Sequence, residues 1–115
     1  RTPEQVRDDV HAFVARVRRA LPRVPIFWLS IKPSPSRQAL LPQMQQANAL
    51  VRADLGHVAD THYVDVATPM LGADGLPDPA LFREDRLHMR PAGYALWTQA
   101  LGPALHARLD PVTKP

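Results

Sequence analysis

The chain has 115 residues, room for one domain or part of one. It holds fourteen Lys and Arg against eleven Asp and Glu, a formal charge of +3, and no cysteine, which excludes disulfide frameworks and thiolate chemistry. The basic residues are nearly all arginines scattered over expected helix faces, among them Arg7, Arg16, Arg18, Arg19, Arg52 and Arg108, so the expectation is a solvated surface and no nucleic-acid partner.

Thr2-Pro3-Glu4-Gln5 reads as a helix start. Thr2 supplies a cap, Pro3 loses nothing at the first helical position, and Gln5 completes a capping box. Val6, Val10, Phe13, Val14, Val17 and Leu21 then recur with the 3.6-residue period of one buried face, and Pro22 and Pro25 end the helix. Residues 25–31 are apolar at nearly every position, as in a parallel strand covered on both faces by helices. Lys32-Pro-Ser-Pro-Ser-Arg37 follows as a loop, because its prolines cannot continue a ladder.

A second helix is expected over 39–55, with Leu40, Leu41, Met44, Ala47, Leu50, Val51 and Leu55 inward and Gly56 as its stop. Residues 62–67 read as a second strand, and 68–84 form a loop rich in Gly, Pro and Asp. A last helix begins at Pro91 and buries Leu96 and Trp97, with Pro103 expected to bend or interrupt it. The longest apolar run, Ile26 to Ile31 with Ser30 inside it, is far short of the roughly 20 residues a bilayer span needs, and no signal peptide is recognised.

Helix, strand, helix, strand, helix is the order of an α/β layered fold with parallel strands. Two strands leave an open edge, so the chain is expected to be a single incomplete domain over 1–115, marginal alone or self-associating through strand 25–31. Arg1 stands where a Met would open a complete chain, so a processed or excised polypeptide is expected.

The spacing D-x-x-H occurs at Asp8/His11, Asp54/His57 and Asp85/His88. The first pair lies on a helix face as a solvated contact, and the second straddles a helix end, where a histidine meets the last carbonyls. Asp85 and His88 follow a long loop after a strand and precede a helix, at the carboxyl edge of the sheet where α/β sites form. A tight turn there lets Asp85 accept from His88 Nδ1 and leaves Nε2 as the base. A buried histidine bonded to its loop is the other reading of the same residues.

Asp85-Arg-Leu-His88-Met-Arg-Pro-Ala-Gly-Tyr-Ala-Leu-Trp97 resembles the closing motif of the SGNH hydrolases, also called GDSL esterases and lipases. Ile31-Lys-Pro-Ser-Pro-Ser-Arg37 resembles a segment of a bacterial subgroup of that family. The resemblance implies a partial three-layer α/β/α, flavodoxin-like fold and a cofactor-free hydrolase of acyl esters, whether of small molecules, lipids or carbohydrates. Carried over by position, His88 is the general base and Asp85 its orienting partner. The family's Gly-Asp-Ser and Gly-x-Asn-Asp motifs do not occur, and Asn48, the one asparagine, falls inside an expected helix as an exposed or packing amide.

The nucleophile and oxyanion donors are therefore expected from an N-terminal half outside this sequence, and the chain alone is expected to be inactive. Ser30, Ser34 and Ser36 are poor local substitutes, since the neighbouring prolines lack the N–H groups a nucleophile elbow presents. Lys32 and Arg37 are read as solvated loop cations, with contact to an anionic or polar substrate as the alternative. Trp28, Trp97, Met44 and Met70 are read as core, and no metal ligand set is recognised around His62 or His106. A noncatalytic basic binding module is the rival reading of the whole chain.

Overall fold

The computed structural model describes residues 1–109. Helix α1 spans Pro3–Ala20, strand β1 Ile26–Leu29, helix α2 Leu41–Leu55, strand β2 Thr61–Val64 and helix α3 Pro91–Leu109. The two strands pair in parallel, with Ile26 opposite Thr61 and Leu29 opposite Val64. Helix α1 opens on the expected capping box: Gln5 N–H donates to Thr2 Oγ1 at 3.1 Å and Thr2 N–H to Gln5 Oε1 at 2.8 Å.

Alternation along the strands sorts their side chains between two faces. Ile26, Trp28 and Tyr63 pack with Val10, Val14, Val51 and Leu55 of α1 and α2. On the other face Phe27 stacks on His62 with ring centroids 4.7 Å apart. Helix α3 lies against β2, and its last turn is pinned by Arg108, which grips the Asp60 carboxylate through Nε at 2.7 Å and Nη2 at 2.6 Å. A second core joins the loop to α3 through Met70, Leu81, Phe82 and Met89, with Leu96 and Trp97 packed against it. The result is an α/β arrangement of helix layers around parallel strands.

Both strands end earlier than expected, because side chains take over the backbone partners. Ser30 Oγ accepts from Val66 N–H at 3.0 Å and Ala67 N–H at 3.1 Å, and the Asn48 amide occupies both polar groups of Ile31. Helix α2 likewise starts at Leu41, since the preceding Pro35–Leu40 winds as a 3-10 segment kinked at Arg37.

Several expectations need correction. Phe13 of α1 and Leu21, which caps that helix, are 55% and 56% exposed and Leu40 is 48% exposed, because the contact between α1 and α2 is narrower than the apolar stripe. All four residues of β1 are only half-buried, since α3 covers β2 and the far edge of β1 has no strand among the described residues. Pro103 lies inside α3 without ending it; the Arg108–Asp60 anchor holds the chain on course beyond it.

Three arginines are structural rather than solvated. Besides Arg108, Arg18 donates to the carbonyls of Pro22, Ala59 and Asp60 at 3.2, 3.0 and 3.2 Å. Arg52 lies over the Tyr63 ring, 5.3 Å from its centroid. Among the described residues no helix is long and apolar enough to cross a membrane.

Candidate active site

The chain between β2 and α3 turns back on itself to build the site. Phe82 and Met89 form an isolated antiparallel bridge, both buried. Between them Arg83 N–H donates to the His88 carbonyl at 2.7 Å and Arg86 N–H to the Arg83 carbonyl at 2.8 Å. Arg86 sits in the left-handed region, φ 59°, a conformation that costs a non-glycine residue about 1–2 kcal/mol and persists because the closed turn imposes it.

Asp85 organises this turn. Its Oδ1 accepts the backbone N–H of Leu87 and of His88, each at 3.0 Å. Its Oδ2 accepts from His88 Nδ1. The His88 hydrogen bond, followed by the two backbone N–H groups, holds the Asp85 carboxyl well below the usual carboxylate range. Asp85 is therefore an ionised acceptor at neutral pH, and its bond fixes the imidazole tautomer with the proton on Nδ1. The His88 side chain is 70% exposed, so the reading of a buried histidine does not hold.

The other two D-x-x-H pairs do not form. His11 reaches across to Asp54, Nδ1 to Oδ2 at 2.9 Å, and ties α1 to α2. Asp8 instead accepts from Arg7 at 3.1 Å. His62 Nε2 meets Asp60 Oδ1 at 2.7 Å at the start of β2, the end of the strand away from Asp85. Among the described residues no cluster of three or more His, Asp or Glu could hold a metal ion.

The loop after β1 is strapped to the Asp85–His88 turn. Lys32 Nζ donates to the Leu87 carbonyl at 3.0 Å, and Ser36 N–H donates to the Arg86 carbonyl at 3.0 Å. Lys32 is thus neither simply solvated nor free for substrate; it braces the peptide just before His88.

None of the three serines has the features of a nucleophile. Ser30 is 4% exposed and its hydroxyl is an acceptor in the core, while Ser34 is 2% exposed. Ser36 is exposed, but it lies between Pro35 and Arg37 at the kinked start of a 3-10 segment and joins the turn through its backbone.

Beside Asp85 an open cleft of about 450 Å³ is lined by Arg83, Glu84, Asp85, Arg90 and Pro91. A separate, more enclosed hollow of about 250 Å³ lies at the carboxyl ends of the strands under α2, lined in part by Asn48, Arg52, Tyr63 and Asp65. It holds neither Asp85 nor His88, and the Asn48 amide and Asp65 carboxylate in its lining are engaged by the fold. In Asp65, burial draws the carboxyl up, but hydrogen bonds from Thr68 and Ala67 outweigh it and leave the pKa lowered.

Sequence reasoning found the Asp–His pair but missed what supports it. Asn48 carried a visible signal, as a lone amide on the buried side of an amphipathic helix. Arg108 and Asp60 carried none, because 48 residues separate them.

This architecture is shared with solved structures named as acylhydrolases and lipases. A Streptococcus pneumonia protein named as a platelet activating factor superposes with a TM-score of 0.77 at 20% identity, over 90% of this chain and 51% of that one. A Bacteroides fragilis protein named as an acylhydrolase gives 0.74 at 16% identity, over 91% and 52%. A GDSL-like lipase from Bacteroides thetaiotaomicron gives 0.61 at 20%, over 85% and 50%. The chain thus spans about half the length of these neighbours.

The fold is that of this hydrolase class. The family model of the GDSL-like lipases and acylhydrolases matches residues 1–96, and the chain belongs to that family. No curated protein matches it.

Proposed function

We propose that this chain is the carboxyl-terminal part of a GDSL-type serine esterase and supplies Asp85 and His88 to a Ser-His-Asp triad. The observation that carries the reading is the bonding of one carboxylate: Oδ2 holds His88 Nδ1 while Oδ1 holds the two backbone N–H groups of the same turn. In that arrangement Nε2 takes the proton of a serine hydroxyl as the oxygen attacks the ester carbonyl, and Asp85 stabilises the imidazolium. The proton then passes to the departing alcohol. Water, deprotonated by the same imidazole, cleaves the acyl-enzyme.

The serine and the donors for the oxyanion come from residues outside this sequence. Support lies in the half-length match to the neighbours, in the absence of a Gly-Asp-Ser motif, and in the edge of β1, which pairs with no strand among the described residues. A strand added there would complete the sheet beside the site. No cofactor enters these steps, and the substrate is a small-molecule, lipid or carbohydrate acyl ester.

The test is p-nitrophenyl acetate hydrolysis. The chain alone is expected to match its His88→Ala variant, and activity is expected to appear when it is mixed or fused with a family segment carrying Gly-Asp-Ser and Gly-x-Asn-Asp. A burst of nitrophenol from the isolated chain that depends on His88 would overturn the division of the triad.

A further inference from the structure

We propose that the hollow of about 250 Å³ under α2 binds a small neutral alcohol, and that the bound molecule steadies, through Ile31 and Pro33, the loop that braces the Asp85–His88 turn. The site is separate from the cleft beside Asp85, and binding there does not require the chain to complete an esterase. Ile31, Pro33, Leu41, Met44 and Leu71 give the hollow an apolar wall. An apolar cavity of about 150 Å³ is enough to take benzene, so this one admits a chain of about six carbons. It is smaller than the pockets of about 300–1,000 Å³ that take larger ligands.

The polar part of the lining sets the class of ligand. Arg52 and Asp65 contribute one cation and one carboxylate, so a ligand charge of either sign is attracted by one and repelled by the other. Both are already engaged: Arg52 lies over the Tyr63 ring, and Asp65 Oδ1 accepts the N–H groups of Ala67 and Thr68. Gln45 lines the same hollow, and its side-chain amide has no partner among the described residues. An amide both donates and accepts, as a hydroxyl does, so the two groups match.

One loop serves both the hollow and the turn. Ile31 and Pro33 line the hollow, whereas Lys32 and Ser36 bond the Asp85–His88 turn. Asn48, which holds both backbone polar groups of Ile31, lines the hollow as well. The loop is under-bonded: Ser34 is 2% exposed and its hydroxyl has no partner among the described residues, and an unbonded buried polar group is destabilising. A ligand packed on Ile31 and Pro33 restricts the loop, and its brace carries the restriction to the peptide before His88.

The test is a titration of the 15N- and methyl-labelled chain with 1-hexanol, compared with hexanoate and hexylammonium, which share its chain length. Hexanol is expected to shift the methyl signals of Ile31, Leu41 and Met44 with a Kd of about 1–10 mM, about fivefold tighter than either ion. It should also slow amide exchange at Leu87 and His88 about twofold. Ala49→Phe, which sets a ring in the hollow from an exposed helix position, should abolish these responses, and Gln45→Leu should weaken binding about threefold. Ala53→Phe, on the same helix but outside the lining, should change neither. Shifts at Glu84 and Arg90 in place of Ile31 and Met44, equal affinity for hexanoate, or unmoved exchange at Leu87 with the hollow saturated would overturn the proposal. An inactive complemented enzyme leaves the binding result standing, and a failed titration leaves the esterase assay untouched.

Discussion

Asn48 holds Ile31 by both of its backbone polar groups: Oδ1 accepts the Ile31 N–H at 2.8 Å and Nδ2 donates to the Ile31 carbonyl at 3.3 Å. A helix side chain thus ends β1 and aims the Lys32–Arg37 loop, which in turn braces the Asp85–His88 turn. Replacing Asn48 with Leu strands a half-buried peptide without partners. The expected cost is about 1–3 kcal/mol, read from urea unfolding of the two proteins; a change under a few tenths would mean the clamp contributes nothing net.

The strap can be tested apart from the clamp. Lys32→Met removes the donor to the Leu87 carbonyl, and the amides of Leu87 and His88 should exchange with solvent several-fold faster. In the complemented esterase kcat should fall about tenfold with KM little changed, since misplacing a base by a fraction of an ångström is costly. Lys32→Arg, which keeps a donor, should recover much of the loss. If KM rises instead, Lys32 contacts substrate.

Asp85→Asn removes the charge that stabilises the imidazolium and lets the wrong tautomer form. In the complemented enzyme kcat should drop by about 10²–10⁴. The wild-type carboxyl is held below the usual range by His88 and the backbone N–H groups, so Asp85 does not titrate between about pH 5 and 8, and an activity loss in that window belongs to another group. Ser30→Ala is a useful contrast. It leaves the Val66 N–H unpaired and the Ala67 N–H with Asp65 Oδ1 as its partner, costing about 1–3 kcal/mol, yet the enzyme that still folds should keep its kcat.

Asp60 links folding to acid. Its hydrogen bonds to Arg108 first and to His62 second depress its pKa below the usual carboxylate range. A group depressed in the folded state contributes stability above its unfolded value of about 3.9 and loses it as pH falls through the folded value. Stability should therefore decline as pH drops below about 4, and Arg108→Met should both lower the melting temperature at pH 7 and flatten that acid decline. An unchanged acid slope in the variant would remove Asp60 as its source.

The edge of β1 makes a fifth kind of prediction. Ile26 and Ser30 direct their N–H groups to Asp60 and Val64 of the neighbouring strand, so alternation turns the N–H groups of Phe27 and Leu29 to the open side. Leu29→Pro should blunt that edge without removing a bond to β2. Sedimentation of the isolated chain is expected to show concentration-dependent association that this variant reduces. The same variant should also weaken complementation by the missing half, and association that is indifferent to it would place the self-contact elsewhere.

Periodicity and turn chemistry made much of the fold legible in advance. The capping box at Thr2, the Val10–Val14 stripe, the start of α3 at Pro91 and the Asp85–His88 spacing are all encoded within a few residues of one another. What was misread depended on distant partners. Phe13 has helical periodicity yet stays 55% exposed, and Asp8 and His11 have the right spacing but other partners. Arg18 and Arg108 look like surface charges until the chain brings carbonyls and a carboxylate to them.

The local order of residues alone determined the helices, the two apolar strands and the carboxylate three positions before the histidine, because each rests on backbone geometry over one or two turns. Only the tertiary structure decided that Asn48 would terminate a strand and that Lys32 would brace Leu87. Those relations join residues 17 to 55 positions apart, and it is the packing of α2 and the loop against the sheet that makes them neighbours.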